Sequence, residues 1–190
     1  MFSSYGDLLQ TLESRLNQMC EDGKPRGSWN SGKRQAVDVP PQNWGAADGE
    51  ALSAEELGTV CDAWYPVHAI GYNWLRSNGE AAKDVAQRIR EIIAFYKNLK
   101  FDCGKVIVVT HSMGGLVGRA LIHPDYGNAQ DVVAGIVHGA MPAVGAAAAY
   151  RRIRVGFEGS GIKGYLVKKV LGDTGPKVTA VLANSPGGLQ

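Results

Sequence analysis

The chain has 190 residues, of which 45% are hydrophobic and 20% are charged, and its formal net charge is +2. This length suits one compact domain, and this composition excludes a disordered or fibrous chain. Because 20 basic residues nearly balance 18 acidic ones, charge alone indicates neither a nucleic-acid nor a membrane partner, and we predict no nucleic-acid binding.

The beginning of the chain predicts an amphipathic packing helix. It carries charged side chains and no continuous apolar run, so it resembles neither a signal peptide nor a membrane span. We therefore expect a protein that is cytoplasmic as made, and export by a route without a cleaved signal stays open. The apolar residues that recur at helical spacings are Leu8, Leu9, Leu12, Leu16 and Met19.

Residues 21–58 are crowded with Gly, Pro, Asn and Asp, which predicts a long surface loop. Cys20, Cys61 and Cys103 are odd in number, far apart and without a C-x-x-C pair, so we interpret them as reduced thiols. Residues 1–64 are assigned to an N-terminal helix followed by a long polar loop.

The next part of the chain, residues 65–145, alternates strand and helix patterns. Parallel strands with crossover helices explain that order, so we predict an α/β fold with at least three parallel strands. The apolar second strand is expected to be buried on both faces. The predicted elements are a strand at Tyr65–Tyr72, a helix that begins with the S-x-x-E capping box at Ser77–Glu80, a strand at Val106–Val109, a helix at Met113–Leu121 and a strand at Val132–His138.

Residues 146–190 predict helices that form a cap region, with Pro176 in the first turn of the last one. This region contains a cluster of basic side chains. Two interpretations of the cluster stay open, namely contact with phospholipid head groups at a membrane surface and a solvated helix face. The cluster consists of Arg151, Arg152, Arg154, Lys163, Lys168 and Lys169.

The stretch KVIVVTHSMGGLVGRA changes from strand-like to helix-like composition around Ser112. A tight strand-to-helix turn exposes its central side chain, strains its backbone and requires small neighbours. Gly114 meets this requirement, whereas Thr110 stands where glycine is usual. We predict that Ser112 is a nucleophile and that the Met113 amide helps to hold an oxyanion. His111 belongs to the same turn and is expected to point away from the serine.

Three stretches resemble a known family: HSMGGLVGRA, GYNWLRSN upstream of it and HGAMPAVGA downstream. They are similar to the α/β-hydrolase lipases, in particular the lecithin-cholesterol-acyltransferase-like branch that includes bacterial type VI secretion phospholipase effectors. The resemblance covers roughly residues 65–190, and a weaker NWG...LS stretch at residues 43–53 is also similar. It implies an α/β-hydrolase fold and the hydrolysis of a lipid or other ester.

A triad in this fold follows the order Ser, then Asp or Glu, then His. After Ser112 the histidines are His123 and His138, and neither lies in the late loop where the base is expected. We keep His138 as a weak base. An early strand with a glycine-containing loop for a second oxyanion amide is also missing. The candidate acids, which all precede a plausible base position, are Asp125, Asp131 and Asp173.

Three interpretations follow. The chain is a fragment of a serine lipase with negligible activity alone, a small esterase that uses His138 or His123, or a non-catalytic module that binds lipid or protein. We take the first as the working hypothesis, with Ser112 as nucleophile. No cofactor or metal is predicted, since the sequence has no metal cluster, P-loop or G-x-G-x-x-G motif. A sheet without its early strands has an open edge, which predicts self-association or a complementing polypeptide.

Overall fold

The protein divides into two compact units, Met1–Ala69 and Ile70–Gln190. The structure is a computed structural model, and the residues it describes are 2–22, 24–26, 39–44 and 47–188.

The first unit is built from helices and a small hairpin. The helix predicted from the leucine spacing is confirmed as α1 (Phe2–Leu16). Two short strands follow and pair antiparallel, β1 (Cys20–Glu21) with β2 (Lys24–Pro25). A 3-10 helix (Pro41–Trp44) and α2 (Ala54–Cys61) complete the elements of this unit that the described residues form.

The prediction that residues 21–58 form a loop is wrong at both ends, because the β1–β2 hairpin lies at its beginning and α2 starts before its end. Ser53 caps the helix: its hydroxyl accepts from the Glu56 amide at 3.1 Å, and its own amide donates to the Glu56 carboxylate at 2.8 Å. These bonds hold the pKa of Glu56 below its usual value. The same S-x-x-E signal that predicts a helix at Ser77 is present here. Much of the remaining predicted loop lies outside the described residues.

The prediction of three reduced thiols is wrong for two of them. Cys20 and Cys61 form a disulfide with their Cα atoms 5.7 Å apart, whereas Cys103 is free. Beside the bridge, the Asn17 side chain bonds both the amide and the carbonyl of Tyr65, at 2.7 and 2.8 Å. The end of α1 and the chain after α2 are therefore joined by tertiary contacts that sequence spacing does not indicate.

We expect reduction of this disulfide to loosen the first unit. It joins residues 41 positions apart, and closing a loop of that size stabilises the folded state by about 4 kcal/mol in a chain-entropy treatment. Urea unfolding followed by circular dichroism should give a lower midpoint for Cys20→Ser/Cys61→Ser, or with reductant. The control variant Cys103→Ser, which keeps the disulfide, should still show a lower urea midpoint when reductant is added. Equal midpoints with and without reductant would contradict the expectation.

The second unit contains the predicted α/β alternation in shortened form. The strand predicted at Tyr65–Tyr72 is wrong, because this segment pairs with no strand among the described residues. The parallel sheet has two strands within the described part of the chain, not three. Its elements are α3 (Asn78–Asn98), β3 (Val106–His111), α4 (Gly114–Leu121), β4 (Val133–Gly139), α5 (Ala147–Val155), α6 (Gly161–Leu171), α7 (Gly175–Ala183) and a 3-10 helix (Pro186–Gly188).

Strands β3 and β4 are parallel, with Val106 opposite Val133 and His111 opposite Gly139. Helices α3 and α4 cover one face of this pair. Leu121, at the end of α4, is fully buried there. The buried cluster on that face consists of Ala81, Ala82, Ala86, Ile89, Ile93, Val117, Leu121 and Ala129, with Val106, Val108 and Val133 packed against it.

The other face of the sheet is open. Ile107, Val109 and Val137 point to it and are 57–62% exposed. The expectation that β3 is buried on both faces is therefore wrong, because among the described residues no element covers this side. The uninterrupted apolar run still has a physical meaning, since it provides one face for α3 and α4 and a second apolar face for another partner.

The helices predicted after residue 146 are confirmed as α5, α6 and α7, and Pro176 lies in the first turn of α7. Within the described ranges, no helix is both long and apolar enough to cross a membrane.

We expect the isolated chain to associate through the open sheet. Apolar side chains beside unpaired strand edges favour pairing with another chain. Light scattering should show oligomers that grow with concentration, and Ile107→Lys/Val137→Lys should reduce them. Phe95→Lys, which changes an exposed apolar residue on α3, is the matched control and should leave association unchanged. A monomer at all concentrations would contradict the expectation.

Candidate active site

Ser112 lies at a tight turn between β3 and α4. Its φ is +52°, a left-handed conformation that costs a residue with a side chain roughly 1–2 kcal/mol. Its amide donates to the Gly139 carbonyl at 2.8 Å, and its carbonyl accepts from the Gly115 amide at 2.9 Å. Both sides of the strained residue are thus held by backbone hydrogen bonds, and the residue is exposed. Met113 follows as the N-cap of α4.

A second strained residue follows the neighbouring strand. Ala140, directly after β4, has a φ of +51°. Since Ser112 bonds the residue before Ala140, the two left-handed residues lie at adjacent strand ends. Strained backbone of this kind concentrates at functional sites. The sequence gives no signal for it, because alanine has no preference for the left-handed region.

The two glycines after Ser112 have different surroundings. A Cβ on Gly115 would lie 2.5 Å from Cγ and 2.7 Å from Cβ of Met141, so this glycine permits close packing of α4 against the chain after β4. A Cβ on Gly114 would have 3.8 Å to the Tyr72 hydroxyl, which is ordinary contact. The tight position is therefore Gly115.

Thr110 fits at the turn because a later glycine leaves it room. Its methyl would lie 3.0 Å from a Cβ on Gly118, in the middle of α4. Its hydroxyl is 2.7 Å from Nδ1 of His138 on β4. The imidazole ring of His138 also faces Gly118, with Cε1 3.3 Å from the position of that Cβ. The His138 ring therefore lies between β3, β4 and α4, with Nδ1 directed at Thr110.

The other histidines and acids predicted near the site have separate neighbours. His111 lies at the end of β3 and has the same orientation as the open-face residues. His123 follows α4, whose eight residues span about 12 Å, so this helix separates it from Ser112. Its Nδ1 accepts from the Asp125 amide at 3.2 Å.

Asp131 and Asp173 each pair with a basic side chain. Asp131 accepts from Arg90 of α3 at 2.9 Å. Asp173 accepts from Lys177 at 2.8 Å, and this hydrogen bond lowers the pKa of the Asp173 carboxyl. It precedes α7, where a carboxylate favours the helix start. Both acids are therefore paired with basic side chains of the second unit.

The comparisons with known proteins agree with this fold. The family of PGAP1-like alpha/beta domains matches residues 76–160. The matched residues include α3, β3, the Ser112 turn, α4 and β4.

A chain in the crystal structure of the Tle4-Tli4 complex is similar over 98% of this chain, with 36% sequence identity and a TM-score of 0.77. This chain spans 35% of that one. No curated protein matches significantly. The predicted α/β-hydrolase fold and the resemblance to α/β-hydrolase lipases are confirmed.

Two cavities of about 280 and 310 Å³ lie elsewhere in the second unit, and neither is lined by Ser112. The part of the chain that the structure describes holds no group of three or more His, Cys, Asp or Glu side chains suited to a metal ion. Neither cavity is therefore an acyl-binding cleft next to Ser112.

We expect Gly115→Ala to destabilise the second unit and Gly114→Ala to be tolerated. The added methyl at Gly115 forces the Met141 side chain and its backbone to move, and such overpacking costs about 1–3 kcal/mol. Thermal unfolding should show a clear loss of melting temperature for Gly115→Ala alone. Equal melting temperatures of the two variants would show that Met141 does not constrain α4.

Proposed function

We propose that this chain is the nucleophile-bearing core of a serine ester hydrolase that acts on lipid esters. The observation that carries the proposal is the exposed Ser112 at φ +52° between a parallel strand and a helix. A nucleophile elbow requires this arrangement of strand, strained serine and helix. The PGAP1-like domain around the serine and the resemblance to lipases support it.

The reaction would proceed by acyl transfer. The Ser112 hydroxyl oxygen attacks the ester carbonyl carbon while a general base takes its proton. The Met113 amide, at the start of α4, donates to the oxygen that becomes negative. The protonated base gives this proton to the alcohol, which leaves, and the acyl group stays on Ser112. Water then attacks the acyl carbonyl carbon while the base takes a proton from the water, and the Ser112 oxygen leaves and is reprotonated.

We propose that residues beyond this sequence supply the acid and the general base. In a triad histidine, one ring nitrogen faces the serine and the other faces the acid. Nδ1 of His138 is directed at the Thr110 hydroxyl at 2.7 Å, which leaves it no acid partner there. The chain spans 35% of its structural relative, so a complementing polypeptide or further chain has room to provide both groups. His138 is the second candidate for the base.

We also propose that the protein is exported, as its resemblance to type VI secretion effectors suggests. The Cys20–Cys61 disulfide supports this, because disulfides persist in oxidising compartments. The similarity to a chain of the Tle4-Tli4 complex supports a protein partner for this chain too.

A chimaera tests the hydrolase proposal. This chain replaces the aligned third of its structural relative, and hydrolysis of p-nitrophenyl butyrate is measured. We expect turnover roughly a thousandfold or more above that of the Ser112→Ala chimaera. Ser160→Ala is the matched control and should retain full activity, because Ser160 is also exposed and its side chain makes no capping hydrogen bond.

The isolated chain should show turnover no higher than its own Ser112→Ala variant. Serine-dependent turnover by the isolated chain that is lost in His138→Ala would instead identify His138 as the base. A folded chimaera without serine-dependent turnover would contradict the proposal and favour a non-catalytic module that binds lipid or protein.

A further inference from the structure

Helix α6 presents an apolar stripe to solvent. Ile162, Tyr165, Leu166 and Val170 follow the spacing i, i+3, i+4 and i+8, which places them on one side of a helix. Each is 54–81% exposed. In a helix of a globular protein this spacing normally marks the buried side. Here the apolar side is the outward one.

The opposite side of α6 is held by close backbone packing. Gly164 lies against Gly159, so closely that a Cβ would meet the Gly159 backbone. Gly172, at the end of the helix, lies against the first turn of α7, where a Cβ would be 2.7 Å from the Val178 nitrogen. Gly164 is buried and Lys168 and Leu171 are half-buried, so these residues mark the inward side of α6 and the apolar stripe lies on the opposite, exposed side.

The same part of the chain concentrates positive charge. Residues 144–171, the basic helical segment, contain six basic residues and one acidic residue, a net charge of +5. The whole chain has a net charge of +2, so the remaining residues together carry −3. The only acid of the segment, Glu158, pairs with Arg151 at 2.6 Å. Positive charge and exposed apolar side chains thus coincide in one segment of an otherwise acidic chain.

We propose that α6 docks on a membrane surface that contains anionic phospholipids, with its apolar stripe inserted at the interface. Helices that lie in a membrane interface combine an outward apolar side with lysine and arginine. Lys169 follows Ile162 by seven residues, so it lies on the apolar stripe itself, and its ammonium is 5.9 Å from the centre of the Tyr165 ring. A lysine there keeps its charge among head groups while its stem covers apolar surface, and tyrosine is favoured at the same depth.

Charge complementarity distinguishes this occupant from a second copy of the chain. Two segments of net charge +5 repel each other, whereas an anionic surface attracts the segment and needs no matching groove. The inference extends the proposed function, since it brings a lipid-ester hydrolase core to its substrate surface. It does not depend on Ser112, so it can fail or hold separately.

Vesicle sedimentation tests the proposal with the full chain. The vesicles contain either equal parts of phosphatidylglycerol and phosphatidylcholine or phosphatidylcholine alone. We expect binding to the anionic vesicles that weakens as salt rises from about 0.05 M to about 0.5 M. Lys169→Gln should lower the partition coefficient about fivefold. Ile162→Ser/Leu166→Ser should lower it at least about tenfold.

Two controls separate docking from folding and from catalysis. Phe95→Ser removes an equally exposed apolar side chain from α3 and should leave binding unchanged. Ser112→Ala should also bind like the original chain, which keeps this result independent of the hydrolase test. Circular dichroism verifies that each variant is folded.

Three results would overturn the proposal. They are no sedimentation of the folded chain with anionic vesicles, equal sedimentation with phosphatidylcholine alone, and unchanged binding of the folded Ile162→Ser/Leu166→Ser variant. If the first of these results came with binding to soluble polyglutamate, the partner would be an acidic protein.

Discussion

The hydrogen bond from the Ser112 amide to the Gly139 carbonyl, at 2.8 Å, joins the two parallel strands at the point where both end. It satisfies a backbone donor that the sharp turn would otherwise leave without a strand partner. Ser112 and Ala140, next to this bond, both have positive φ. Strained residues persist only where their surroundings hold them, so the local geometry of the serine depends on the pairing of β3 with β4.

Close packing of α4 on the sheet depends on two glycines. Gly115 admits the Met141 side chain, and Gly118 admits the Thr110 methyl and the His138 ring. This explains why threonine can replace the usual small residue before the serine. A glycine at position 110 would itself leave space between β3 and α4. Here Gly118, one turn into α4, leaves that space for the Thr110 side chain. The same packing directs His138 at Thr110, which weakens its candidacy as the base.

Local patterns predicted the elements well and tertiary pairings poorly. The capping serine at Ser77, the apolar run of β3 and the proline of α7 each act within a few residues, and the structure confirms them. The Cys20–Cys61 disulfide joins distant parts of the chain, and whether the Tyr65–Tyr72 segment pairs as a strand also depends on distant parts, so spacing could reveal neither. The Ser112 turn was predictable because glycine and serine chemistry is local, whereas the left-handed Ala140 has no compositional signal.

Two exposed apolar surfaces of this chain differ in what can cover them. The open sheet face of Ile107, Val109 and Val137 lies beside strand edges whose backbone groups need hydrogen bonds. Lipid tails offer no hydrogen bonds, so a polypeptide is the suitable partner for the sheet. The backbone of α6 is satisfied within the helix, and Lys169 lies on its apolar stripe next to Tyr165. Such a surface can contact lipid without an unmet backbone group, which is why we assign the sheet to protein and α6 to the membrane.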